Sequence, residues 1–66
     1  MARYRVEAWS RTSIHARERI CTARITLSAR DAYDAAHELA RMMRLTANQW
    51  NDGAPSPQVV IRVEEQ

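Results

Sequence analysis

Residues 28–50 read Ser-Ala-Arg-Asp-Ala-Tyr-Asp-Ala-Ala-His-Glu-Leu-Ala-Arg-Met-Met-Arg-Leu-Thr-Ala-Asn-Gln-Trp, and the period of their apolar positions decides the fold. Advancing about 100° per residue from Ala32, the residues Ala36, Leu39, Ala40, Met43, Ala47 and Trp50 all fall within about 80° of it. Ala35, Met42 and Thr46 complete that stripe. The opposite arc holds Tyr33, Asp34, His37, Glu38, Arg41, Arg44 and one apolar residue, Leu45. Ser28 offers an N-cap, and Asp31, three residues on, suits the positive end of the helix dipole. The spacing predicts one helix reaching Trp50. Asn51-Asp52-Gly53 then stops it, and Pro55 and Pro57 forbid its resumption.

The flanking stretches alternate with period two, as half-buried strands do. Arg3-Tyr4-Arg5-Val6-Glu7-Ala8-Trp9 points Tyr4, Val6 and Ala8 one way and Arg3, Arg5, Glu7 and Trp9 the other. Residues 10–18 lack periodicity and read as a hairpin loop. A second strand from Arg19 to Leu27 places Cys21, Ala23, Ile25 and Leu27 on one face, with Ile20, Thr22, Arg24 and Thr26 on the other. A third, Val59 to Glu64, turns Val59, Ile61 and Val63 inward and Val60, Arg62 and Glu64 outward. A hairpin makes the first two strands antiparallel, and the helix returns the third to pair antiparallel with the first. The expected fold is α+β: a two-layer ββαβ sandwich, a three-stranded antiparallel sheet in order 2-1-3 with one helix on one face, residues 1–66 forming a single domain.

All ten basic residues are arginine, and they are polarised. Residues 1–30 carry seven of them against Glu7 and Glu18, whereas residues 31–66 carry three against six acids. A GC-rich genome accounts for Arg in place of Lys, but not for this polarity. A chain of 66 residues buries only roughly 60% of its unfolded surface, so it gains from a staple. One cysteine makes no internal disulfide, and two histidines with Cys21 fall short of a structural zinc set. A homodimer is therefore expected among the partners. No apolar run is long enough for a signal peptide or membrane span, and the lone thiol suits a reducing, cytoplasmic setting. No GxSxG, P-loop or HExxH pattern occurs, so no enzyme, catalytic residue, metal or cofactor is expected.

With the helix on one face, the other is bare. It gathers Arg3, Arg5, Glu7, Trp9, Ile20, Thr22, Arg24, Thr26, Val60, Arg62 and Glu64. Trp and Arg anchor protein interfaces, and the same pair stacks bases and holds phosphates. Antiparallel sheets also keep one face wet with no further role. The hairpin adds a second basic locus in Arg11, His15, Arg17 and Arg19. The partner-binding candidates are thus Arg3, Arg5, Trp9, Arg11, Arg17, Arg19, Arg24 and Arg62. On the helix, Tyr33, His37 and Arg41 stand one turn apart, the spacing of ordinary surface neighbours.

The two arginine-bearing strands, the Ala-rich start of the helix (Ser28 to Ala36) and the closing Val59–Val63 strand resemble small phage-encoded anti-CRISPR proteins with a strand–strand–helix–strand plan. That resemblance implies a non-enzymatic inhibitor that docks on and blocks a protein or protein–nucleic-acid complex in the host cytoplasm. The segment Ile25–Leu39 is also similar to the sheet-to-helix passage of HicB-type antitoxins, which neutralise an RNA-cleaving toxin. The leading expectation is a protein-binding inhibitor working through the open face. The alternative is a nucleic-acid binder, against which a net charge of only +2 counts.

Overall fold

A computed structural model describes residues 1–13, 15–50 and 57–66. The elements run β1 (Ala2–Arg11), β2 (Arg19–Ala29), α1 (Ala32–Met42) and β3 (Val59–Glu65). The sheet has the order β2-β1-β3, and both pairings are antiparallel. The expected ββαβ plan is the one observed.

Burial follows the period-two pattern. Tyr4, Val6 and Ala8 of β1 are buried, as are Val59 and Ile61 of β3, and they pack with Ala35, Leu39 and Ala40 of α1. Ala23, Ile25 and Leu27 of β2 are only half-buried, because a groove separates this strand from α1, and Cys21, expected inward with them, instead stands opposite Trp9 beyond a break in the register. Both hairpin strands run further than the alternation suggested. Ser10 and Arg11, expected in the loop, pair with Ile20 and Arg19. Between Ala8 and Trp9 the register slips: Ala8 faces Ala23 while Trp9 faces Cys21, leaving Thr22 as an extra residue. Such a bulge bends and twists its strand.

The helix departs from expectation at both ends. Its N-cap is Asp31, whose side chain accepts the Asp34 N–H at 2.8 Å. Ser28 was the expected cap, but it and Ala29 extend β2, facing Arg3 and Ala2. Strand pairing consumes Ser28, and Asp31, read in the sequence for the helix dipole, takes the cap instead.

The helix ends at Met42, two turns before Trp50. Met43 closes it. Arg44 then takes the left-handed conformation, at φ 58°. The Leu45 N–H reaches the Ala40 carbonyl at 2.9 Å and the Arg44 N–H reaches that of Arg41 at 3.0 Å. These are the 6→1 and 5→2 bonds of a Schellman motif, which also brings its following residue onto the core. Leu45, expected on the wet side, is accordingly half-buried against the core. A turn follows in which the Gln49 side chain accepts the Thr46 N–H at 2.8 Å and the Gln49 N–H donates to the Thr46 carbonyl at 2.9 Å. Trp50 is then buried, as the stripe implied, but by another route. It forms a parallel bridge to Val59, with the Val59 N–H on the Gln49 carbonyl at 2.9 Å. Ala32, Met42 and Ala47, assigned to the apolar stripe, are exposed. The stop assigned to Asn51-Asp52-Gly53 and Pro55 lies outside the described residues.

An arginine in the left-handed region carries a Cβ clash of about 1–2 kcal/mol that glycine escapes. Arg44→Gly is therefore expected to stabilise the protein by about 1 kcal/mol, read as a higher urea midpoint at unchanged slope. A lower midpoint would contradict this helix ending.

Candidate functional site

The register of the sheet assembles the uncovered face. Arg5 stands opposite Glu64 on β3, and Glu7 stands between Arg24 on β2 and Arg62 on β3. Trp9 faces Val60, which places Arg62 on its diagonal. Alternation in β1 makes Arg5, Glu7 and Trp9 same-face neighbours two residues apart.

Glu7 is the hub of this surface. One carboxylate oxygen, Oε1, accepts the Trp9 indole N–H at 3.1 Å, and Oε2 accepts the Arg24 Nε–H at 2.7 Å. Arg5 Nε stands 4.0 Å from Oε2, while its Nη2 donates to Glu64 at 2.6 Å. The Glu7 side chain is only 16% exposed, against 42% for Arg5 and 60% for Arg24. The indole N–H is the strongest influence on its titration. With the Arg24 and Arg5 guanidiniums it outweighs burial and holds the carboxyl below its usual 4.5. The Arg62 guanidinium lies over the Trp9 ring, 4.7 Å from its centroid, within cation–π range. Trp9 is thus held at its nitrogen by one charge and covered on its face by another.

The face is less basic than its four arginines suggest. Arg5 and Arg24 are paired with Glu64 and Glu7, Arg62 is stacked, and Arg3 is exposed with no ion pair among the described residues. Ser10 and Thr22 share a 2.9 Å hydroxyl contact beside the bulge.

The hairpin arginines divide. Arg11 and Arg19, which face each other across the hairpin, both donate through Nη2 to the Pro57 carbonyl, at 3.0 and 2.8 Å. They are half-buried and tie the hairpin end to the start of β3. Arg17 and His15 remain exposed. The sequence carries no signal for this tie, because the acceptor is a backbone carbonyl far along the chain. The Glu7–Trp9 contact was legible in principle, since i and i+2 share a strand face.

On α1, the His37 ring lies 3.9 Å from that of Tyr33 and edge-on to Trp50 at 4.8 Å. Its Nδ1 donates to the Tyr33 carbonyl at 3.0 Å, so the proton sits on Nδ1. His37 thus bridges the exposed Tyr33 ring to the buried Trp50 at the end of the core. Arg30–Asp34, at 2.7 Å, and Arg41–Glu38 are exposed pairs within the helical surface. Among the described residues no group of three His, Cys, Asp or Glu side chains is placed to hold a metal. None of their helices is long and apolar enough to cross a membrane. No protein-family model matches the chain, and comparisons with curated proteins and with solved structures return no significant match.

A carboxyl whose folded pKa lies below its unfolded one adds stability above the unfolded value and loses it as pH falls through the folded one. Glu7→Gln is therefore expected to lower stability at neutral pH, with the difference from the parent closing as pH drops below 4.5. Chemical denaturation at stepped pH reads this directly. A gap that persists unchanged in acid would mean that the Glu7 charge contributes nothing.

Proposed function

We propose that this chain is a small protein-binding inhibitor that docks through its open sheet face and blocks a protein or protein–nucleic-acid complex. The observation that carries the reading is the Trp9 ring held between Glu7 and Arg62 on a face that none of the described elements covers. A large aromatic side chain already fixed in place loses little conformational freedom on binding, which is what an interface anchor requires. The surrounding charges are mixed in sign and mostly paired, which suits a protein partner whose own surface is mixed. The working residues are Arg5, Trp9, Arg24 and Arg62, with Arg3 at the rim and Arg17 at the exposed hairpin end. Arg11 and Arg19 act indirectly by holding that end in shape. The anti-CRISPR plan supplies the class of target, a bacterial defence complex, and with it a host-cytoplasmic place of action.

The second reading, nucleic-acid binding, draws on the same Arg62–Trp9 stack, because aromatic and guanidinium planes stack bases. A formal charge of +2 for the whole chain and the pairing of Arg5 and Arg24 leave few cations to neutralise phosphates.

Expressed in a bacterium with an active CRISPR–Cas system, the protein is expected to raise plating of a targeted phage. Trp9→Ala and Arg24→Glu are expected to abolish that effect while keeping the parent circular dichroism spectrum. Full activity in both variants would remove the open face from the mechanism. A band-shift titration with labelled single-stranded and duplex DNA at low and high salt is expected to show no tight complex. Binding that falls steeply with salt would favour the second reading instead.

A further inference from the structure

The two edges of the sheet are not alike. β3 spans 7 residues, carries Arg62, Glu64 and Glu65, and its first residue is already bridged by Trp50. Short length, charges and a covering segment are the devices that keep an edge from pairing. β2 has few of them. It spans 11 residues, pairs among the described residues with β1 alone, and contains no proline and no acid. Its bulge lies at one end, at Thr22, leaving Ala23–Ala29 in regular register. On the helix side, Ile25 and Leu27 are half-buried and open into a groove of about 760 Å³ between β2 and α1, where Met42 is 63% exposed.

We propose that this edge and groove hold a second copy of the chain, β2 pairing antiparallel with β2 about a two-fold axis at Ile25. Face matching admits only registers in which the numbers of paired residues have an even sum. With the axis at Ile25, the helix side sets Ile25 against Ile25 and Ala23 against Leu27, so a small residue meets a large one. The open side sets Thr22 against Ser28 and Arg24 against Thr26. An axis at Arg24 would place two arginines directly opposite, which is unfavourable. An axis at Ala23 would run the pairing through the bulge at Thr22, where the alternation of faces breaks. The helices then also run antiparallel, so Asp34 near the start of one α1 approaches Arg41 near the end of the other, and both residues line the groove. The product is a continuous six-stranded sheet with both Trp9 faces on one side. The dimer does not depend on what that face binds.

Sedimentation equilibrium of the full chain over a range of concentrations tests the proposal. The parent is expected to dimerise. Thr26 is exposed, so its variants can be checked for parent-like folding by circular dichroism. Thr26→Arg puts like charge opposite Arg24 twice and is expected to weaken the dimer about tenfold, whereas Thr26→Glu tightens it by a similar factor. In a Cys21→Ser background, Ile25→Cys is expected to crosslink to its own copy under mild oxidation, since directly opposed strand residues lie within disulfide reach. A monomer at every concentration overturns the proposal, as does a dimer indifferent to both charges at position 26.

Discussion

β1 is hydrogen-bonded along both edges, and every other element takes its position from that strand. Its helix-facing side supplies Tyr4, Val6 and Ala8, buried at the centre of the core. Its opposite side supplies Arg5, Glu7 and Trp9, around which the open face is arranged. One seven-residue alternation thus serves both layers. A one-residue slip would exchange the two sides and put a carboxylate under the helix. The pairings with β2 and β3 hold that register from two directions, which lets so small a chain define it firmly.

The electrostatics of the open face follow from the same strand. Glu7 stands between two arginines from neighbouring strands, but only Arg24 takes its carboxylate in a hydrogen bond. Arg62 instead lies over Trp9. The acid's second oxygen is occupied by the indole N–H, so charge pairing and aromatic placement are one arrangement rather than two. Ten arginines in the sequence therefore do not make ten free cations. Three of the four on this face are engaged with its other side chains, and Arg11 and Arg19 hold the chain to itself at Pro57. A surface so balanced leaves few free cations to neutralise phosphates.

Strand order and the inner face were legible in the sequence because both rest on simple periodicity. The alternations at Arg3–Trp9 and Val59–Glu64 left one side of each strand apolar, and a single helix between strands two and three admitted the order β2-β1-β3. The helix end was not legible. Apolar spacing stays in phase through Trp50, and the left-handed stop at Arg44 lacks the glycine that signals one. The Thr46-Ala47-Asn48-Gln49 turn did carry a trace, the Thr-x-x-Gln pattern of a capping box. For the site, alternation identified which side chains share the open face. Which of them pair depends on cross-strand register and rotamer, which no periodicity encodes.

The central claim is that the Glu7 carboxylate holds Trp9 in place on the open face. It is tested most directly by following the Trp9 indole N–H resonance by ¹H–¹⁵N correlation spectroscopy through an acid titration. The expected result is a single transition with its midpoint below the usual glutamate value of 4.5, absent in Glu7→Gln. An indole resonance that does not respond to pH, or that titrates identically in Glu7→Gln, would contradict the account.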